Sequence, residues 1–544
     1  MPPNAVLDRG SPASFEMIAE AENKEKNVQL LANTALRWMQ GILSGEAESS
    51  PDCLGSPEHV KTYFHPEMDM KDLTVEVITG GNNNVSLHVY DCKRASPRFS
   101  TSTSRLAEGS DFPSEVFVKA TRANASDRMG HQFFGMSTFH DFCPSETVHP
   151  LLCDGDTLAN NGFKYLVSEF LTRDYDQYMY QFHEGRVDQR PAQAIGETIA
   201  KFHVQSRLIG REEAFNEETF DSFYANGYLG IIEKLKDYIM SEEMDHASRS
   251  TKELYRQHPE YLSSFDKILE SLINPSEATG ACIHHDLHVL NILVKENINP
   301  TEVNDLIKVV DFEFYNWGPI GADVGIYSAS VITFALMHAC REDEYDSNWR
   351  SLLQAVSSMW SSYIKSYVAT SPETRADALK ELYEIARQSV AWIGFVLVKY
   401  FSPNVFHLLI DGLLKAPDGL VESLESTYFV REGVYGLEFL RFKTFAMGHT
   451  LMAMGFEDEE DVAAESQVPE HIDPEVLEDI MQDAIAEVEK VAKTMRRQLR
   501  SQRQSVGAPP KKFDRRVSDL RSSPRRCSDS FMFEALTKAN TPNF

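Results

Sequence analysis

The sequence predicts an α+β fold in two lobes, a small antiparallel sheet followed by a large, mainly helical part. Three observations carry this. Strand-like runs occur early, alternating in residues 73–78 and 85–90 and continuing at 116–119 and 165–171. Helical spacing dominates afterwards, in residues 192–206, 229–240, 252–272, 349–369, 374–399 and 474–500. Two short apolar runs amid those helices, 292–294 and 306–310, can pair as a hairpin. Strands first and helices later is the order of a segregated α+β chain.

The elements follow in order. Residues 1–26 are polar, lack an apolar signal core and are expected to be a disordered leader. Residues 27–43 show helical periodicity ending near Gly45. The strands at 73–78 and 85–90 flank the turn cluster Thr79-Gly80-Gly81-Asn82-Asn83-Asn84 and form a hairpin. Residues 92–113, rich in Ser, Thr and Arg, read as a mobile insertion. A third strand ends in Lys119, and residues 165–171 form a strand running into a connector. This first lobe spans 27–170, and the helical lobe spans 171–504. Residues 324–340 are too short and too polar for a membrane span and read as a buried helix. Residues 505–544 are a basic tail of disordered composition. There Arg515-Arg516-Val517-Ser518 and Arg525-Arg526-Cys527-Ser528 read equally as basic-directed phosphorylation sites, at Ser518 and Ser528, or as a solvated tail.

Composition excludes some classes. A formal net charge of -29 argues against nucleic acid or an anionic membrane as partner. The 7 cysteines are scattered without a C-x-x-C pair, which suits reduced thiols in the cytosol and no zinc site. A cytoplasmic protein is expected.

The chemistry concentrates in His284-His285-Asp286-Leu287-His288-Val289-Leu290-Asn291 and Asp311-Phe312-Glu313. The skeleton is H-x-D-x-x-x-x-N, then D-x-E. The 292–294 and 306–310 hairpin brings its outer ends together, so Asp286, Asn291, Asp311 and Glu313 converge. Phosphoryl transfer from ATP needs these groups. One carboxylate orients or deprotonates the attacking hydroxyl, while an amide and a second acid hold magnesium on the phosphates. Gly80 and Gly81 permit positive φ and close approach to phosphates, and Asn82, Asn83 and Asn84 tolerate left-handed geometry; the same cluster also suits an ordinary hairpin turn. Lys119 supplies the charge for the α/β-phosphates. A kinase lysine pairs with a helix glutamate, but the helix expected at 127–140 has none, and Gln132 stands in the best position.

The block from Asp311 through Trp317-Gly318-Pro319-Ile320-Gly321-Ala322-Asp323-Val324-Gly325 resembles the D-P-E-F-A-F-x-G-P-M-G-F-D-I-G segment of 5-methylthioribose kinases, within the aminoglycoside phosphotransferase and choline kinase-like group. Residues 283–291 resemble that family's H-G-D-L-H-T-G-S, with His285 for Gly and Asn291 following the broader group. Residues 79–85 resemble its nucleotide loop, and Gly436 to Arg441 resemble G-x-E-M-I-R-R, with Phe442 at the second arginine. The resemblance runs from about residue 73 to 455.

That resemblance implies a two-lobed protein kinase-like fold and ATP- and Mg2+-dependent phosphorylation of the anomeric hydroxyl of 5-methylthioribose, in methionine salvage. Asp286 is then the base, and Asn291, Asp311 and Glu313 the magnesium ligands. Glu169 and Leu171 lie at the adenine hinge. Trp317 closes the pocket and Arg441 handles substrate. His288 is a substrate contact or a packed histidine. His284 buttresses the catalytic loop, and Asp323 anchors it. A homodimer is within the family pattern. Two rivals stay open: a kinase of another sugar, an aminoglycoside or a choline-like amino alcohol, and a non-catalytic pseudokinase acting as a phospho-regulated interaction protein.

Overall fold

The computed structural model describes residues 12–46, 53–80, 84–93, 114–122, 129–154, 163–171, 175–211, 253–276, 278–295, 305–340, 348–402, 435–456 and 472–506. The chain separates into two compact units. One is built from Met1–Phe134 and Val148–Arg173, the other from Gly135–Thr147 and Asp174–Ser523.

In the first unit, α1 (Pro12–Ser44) precedes β1 (Leu54–Gly55), α2 (Pro57–Lys61), β2 (Leu73–Gly80), β3 (Asn84–Asp91) and β4 (Glu115–Arg122). Helix α3 (Met129–Phe142), whose residues from Gly135 onward cluster with the other unit, comes next, then β5 (Pro150–Asp154) and β6 (Phe163–Glu169). The strands form one antiparallel sheet in the order β1-β5-β6-β4-β3-β2. Helix α1 lays Leu31, Ala35, Trp38, Met39 and Ile42, a helical stripe, onto Val85, Leu87, Val89, Val116 and Val118 of the sheet. Trp38 stacks on Tyr165 at 4.3 Å, and its Nε1 donates to Asp154 Oδ2.

Two expectations are corrected here. Helix α1 begins at Pro12, so the leader expected over 1–26 is helical for more than half its length. Its Ala, Glu and Lys content favours helix once a turn has formed, and polarity alone hid that. Residues 135–147, placed by sequence in the first lobe, cluster with the second unit. Gly135 abuts the Tyr315 ring, and Thr147 Oγ1 donates to Val309 O at 3.0 Å.

The second unit opens with β7 (Tyr175–Gln177), α4 (Met179–Glu184), α5 (Gln189–Ile209), α6 (Glu260–Ile273) and β8 (Gly280–Ile283). Then come β9 (Ile292–Lys295), β10 (Ile307–Val309), β11 (Asn316–Pro319) and α7 (Gly321–Cys340). Helices α8 (Asn348–Thr370), α9 (Arg375–Phe401), α10 (Tyr435–Met454) and α11 (Pro474–Val506) complete it. The expected hairpin is present: β9 and β10 pair antiparallel with Ile292 opposite Val309, and β7 adds to the other edge of β9.

Residues 321–339 of α7 reach the length and apolarity of a membrane span, longer than the sequence suggested, and all are buried inside the protein. Helices α8, α9 and α11 pack around α7. Helices α9 and α10 touch at Gly394, where a Cβ would stand 2.3 Å from Gly448 O. The helix expected over 252–272 is broken. A short turn at 253–257 ends before Pro259, and α6 starts at Glu260. Proline lacks the N–H and clashes with the preceding turn. The helix expected at 229–240, nearly all of the insertion at 92–113, and Ser518 and Ser528 of the tail lie outside the described residues.

Candidate active site

Residues 284–291 link β8 to β9, and their shape is set by a buried carboxylate in the first turn of α7. Asp323 Oδ2 accepts the His284 N–H at 2.8 Å, and Oδ1 accepts the His285 N–H at 2.7 Å. His203 Nε2 of α5 stands 3.1 Å from Oδ2. Burial alone would raise the Asp323 pKa. The hydrogen bond and charge of His203, with His284 behind them, win and hold the carboxyl below its usual range. These bonds help His285 hold φ +62°, a left-handed value that costs a non-glycine residue energy. The His285 ring meets Trp392 of α9 edge-on at 5.6 Å, and burial pushes its pKa down to about 4.

His284 fixes the next residue. Its Nδ1 accepts the Asp286 N–H at 3.2 Å, and its Nε2 lies 3.0 Å from Val310 O. An amide donates and a carbonyl accepts, so an Nε2 proton faces Val310 O. Phe312 packs under this ring at 4.5 Å.

The Asp286 carboxylate has two neighbours on its own loop. Asn291 Nδ2 donates to Asp286 O at 2.9 Å and to Oδ2 at 3.2 Å. His288 Nε2 stands 3.4 Å from Oδ2. Burial would raise the Asp286 pKa; the charge and hydrogen bond of His288, with Lys399 and His284, overcome it and keep the carboxyl below its ordinary range. In return, Asp286 lifts His288 above the usual histidine value against the effect of burial. His288, open in sequence between substrate contact and packed residue, is buried as the ion partner of Asp286.

The hairpin carries the other acids to this loop. Val310 N–H donates to Asn291 O at 3.0 Å, extending the β9–β10 ladder by one pair. Asp311 follows at φ +67°, and Glu313 is buried in the next turn. Because both bonds of Asn291 Nδ2 go to Asp286, its Oδ1 is left as the oxygen with which it can serve a hard cation. Among the described residues no three His, Cys, Asp or Glu side chains converge on a metal-sized point. A nucleotide-bound magnesium needs only one or two carboxylates beside amide, phosphate and water oxygens, so Asn291, Asp311 and Glu313 fit that donor set. On β11, Trp317 is half-buried in register with Cys282 of β8.

The other predicted residues fall as follows. In the first unit, Lys119 Nζ donates to Gln132 Oε1 at 3.0 Å, with both side chains buried. The Gly80 backbone ends β2 and that of Asn84 opens β3, and Gly81, Asn82 and Asn83 lie outside the described residues. Glu169 spends its N–H on His149 O at 2.9 Å and accepts the His149 N–H on its carboxylate. Leu171 is half-buried just beyond β6. In the second unit, Arg441 is 2% exposed, and its Nη1 donates to Phe401 O at the end of α9.

Sequence reasoning missed Lys399 and His203. Lys399 sits 5% exposed on α9 and interacts electrostatically with Asp286. Its signal was present, as the one charge in the apolar run 389–401. His203 looked like any histidine on a helix.

The pinned loop, the aspartate it carries and the hairpin ending in acids sit in an α+β, protein kinase-like fold. Residues 170–354 match the model of the ecdysteroid kinase-like family. Methylthioribose kinase from Geobacillus kaustophilus (strain HTA426) is 27% identical over 211 residues, covering 37% of this chain and 50% of that protein. The chain thus spans about half the length of the curated relatives it matches. Among solved structures, amicoumacin kinase in complex with AMP-PNP and Ca2+ is 12% identical with a TM-score of 0.37, covering 74% of this chain and 92% of that one. Choline kinase from Cryptosporidium parvum Iowa II is 12% identical with a TM-score of 0.37, covering 73% and 92%.

Proposed function

We propose that the chain is an ATP-dependent kinase of a small-molecule hydroxyl, and that the acceptor is the anomeric hydroxyl of 5-methylthioribose, within methionine salvage. The observation that carries the reaction class is Asp286. It is kept ionised in a buried setting, held by Asn291 and His288, on a loop anchored by Asp323. Unlike Asp323, whose side chain is fully enclosed, the Asp286 side chain keeps 16% of its surface exposed, where an acceptor can reach it.

In this reading the acceptor hydroxyl approaches Asp286, which orients it and takes its proton. The hydroxyl oxygen bonds to the γ-phosphorus as the bond to the bridging oxygen of ADP breaks. Asn291, Asp311 and Glu313 hold magnesium, which when bound neutralises phosphate charge. Lys119, oriented by Gln132, meets the α/β-phosphates, and the Gly80 to Asn84 turn covers them. Glu169 and Leu171 flank the adenine. With the Glu169 N–H already engaged, its carbonyl and the backbone at Leu171 are the groups offered to the base. Trp317 and Arg441 serve the acceptor, and His284 and Asp323 support the loop. The methylthioribose kinase relatives and the motif through Gly325 support the choice of sugar.

A kinase of another small hydroxyl compound is the second reading, favoured by Phe442 at the second family arginine and by Asn291. A panel with Mg-ATP separates the two. Transfer to methylthioribose at kcat/KM well above that to choline, hexoses and aminoglycosides is expected. Transfer to one of those with none to methylthioribose overturns the sugar, and transfer to none, with Mg-ATP bound, returns the pseudokinase.

A further inference from the structure

The Asp323 carboxylate shapes the catalytic loop, and the bonds that orient it extend past His203 to a third helix. Helices α5 and α8 meet backbone to backbone at Gly196, where a Cβ would stand 2.1 Å from Met359 O. His203 of α5 faces Tyr363 of α8, with Nδ1 at 3.0 Å from the tyrosine hydroxyl. The other ring nitrogen, Nε2, stands 3.1 Å from Asp323 Oδ2. All three side chains are fully buried.

The two Asp323 oxygens accept the His284 and His285 amides. An ionised carboxylate only accepts, so the His203 Nε2 turned toward it carries a proton. A histidine χ2 is broad and roughly two-fold, so one hydrogen bond leaves the ring more than one way to lie. The bond at the second nitrogen decides which nitrogen serves the first partner, and here Tyr363 makes that bond. The Tyr363 ring is itself held. It stacks on Trp360 at 5.5 Å, and Trp360 Nε1 donates to Leu477 O of α11 at 2.7 Å. One turn further along α8, the Tyr367 hydroxyl donates to Glu381 Oε2 at 2.9 Å instead.

We propose that Tyr363, acting through His203, is a positioning residue for the catalytic loop: the series Tyr363–His203–Asp323 holds the His284 and His285 amides, and so sets where the Asp286 carboxylate stands when the acceptor arrives. The proposal rests on Asp286 being the catalytic acid of the proposed kinase. It adds to that site a hydroxyl from α8 that touches neither the loop nor the reacting groups.

The test uses the full chain with Tyr363→Phe, which removes one hydroxyl and keeps the ring. Tyr367→Phe is the matched control, the same change on the same helix. Two readouts are taken: steady-state kinetics with Mg-ATP, and hydrogen–deuterium exchange of the His284 and His285 amides on peptides spanning 283–291. Tyr363→Phe should speed that exchange about tenfold and lower kcat by about the same factor, the effect of roughly one hydrogen bond. The KM for ATP should change less than about twofold. Tyr367→Phe should leave loop exchange and kcat at wild-type values. In a His203→Leu background, Tyr363→Phe should lower kcat no further, since the hydroxyl acts only through the imidazole. His203→Phe carries that comparison should the leucine variant not fold. Wild-type loop exchange in Tyr363→Phe, equal losses in the two tyrosine variants, or additive losses with His203 overturn the proposal. If the wild-type chain phosphorylates no acceptor, the kinase reading fails by itself, while amide exchange still decides whether Tyr363 holds the loop.

Discussion

His288 Nε2 lies 3.4 Å from Asp286 Oδ2, with the histidine buried and the aspartate 16% exposed. The two residues are adjacent on one loop and perturb each other in opposite directions. A histidine whose folded pKa is raised contributes stability below its unfolded value of about 6.5 and loses it as pH rises through the folded value. Asp286→Asn should therefore drop the His288 pKa below that of the wild type, as read by NMR titration of the ring. The same variant should lower kcat by about 10²- to 10⁴-fold while remaining folded. Normal turnover would remove Asp286 from the mechanism.

Asp323 holds two loop amides and His203 without touching the predicted acceptor. Asp323→Asn replaces a charged acceptor with a neutral one and sets an amide hydrogen against a backbone N–H. Breaking a buried pair of this kind costs about 3–5 kcal/mol, so the urea midpoint should fall markedly. An unchanged midpoint would show that the loop is held by other means.

Lys119 Nζ donates to Gln132 Oε1, and in the proposed reaction that bond orients the lysine toward the phosphates. Gln132→Ala removes one hydrogen bond, worth about 1 kcal/mol, and should weaken Mg-ATP binding several-fold by calorimetry. Gln132→Glu should retain or strengthen binding. Equal affinity in all three proteins would mean that Gln132 does not orient the lysine.

Acid should destabilise the protein before its carboxylates titrate. Burial pushes His449, enclosed by Tyr255, Tyr261, Phe265 and Phe445, down to about 3, and His285 down to about 4. The unfolded chain binds those protons from about pH 6.5 downward, so stability falls as pH drops from there toward 4. The lowered carboxyls of Asp286 and Asp323 lose their contribution later, as pH falls below 3.8 and through their folded values. Urea midpoints between pH 7 and 4.5 should fall, and His449→Phe should flatten the slope. The same slope in that variant would acquit His449.

Much of this was legible in the chain. The β9–β10 hairpin was readable because each apolar run is bounded by polar residues, so period and length agree. The Asp323 anchor could be named from the family resemblance, and its partners only from the folded chain. Helix α1 was half-missed because a polar helix has no apolar stripe to announce it. The break at Pro259 was missed because periodicity continues through a residue that cannot.

The order of strands and helices and the positions of the acids used in the proposed reaction were written in the chain, since local propensity, periodicity and residue type are properties of short segments. Folding was needed to make His288 the ion partner of Asp286 and to set His203 behind Asp323. Those are contacts between distant segments or between buried charges, and their strength comes from a low-dielectric interior that exists only once the chain has folded.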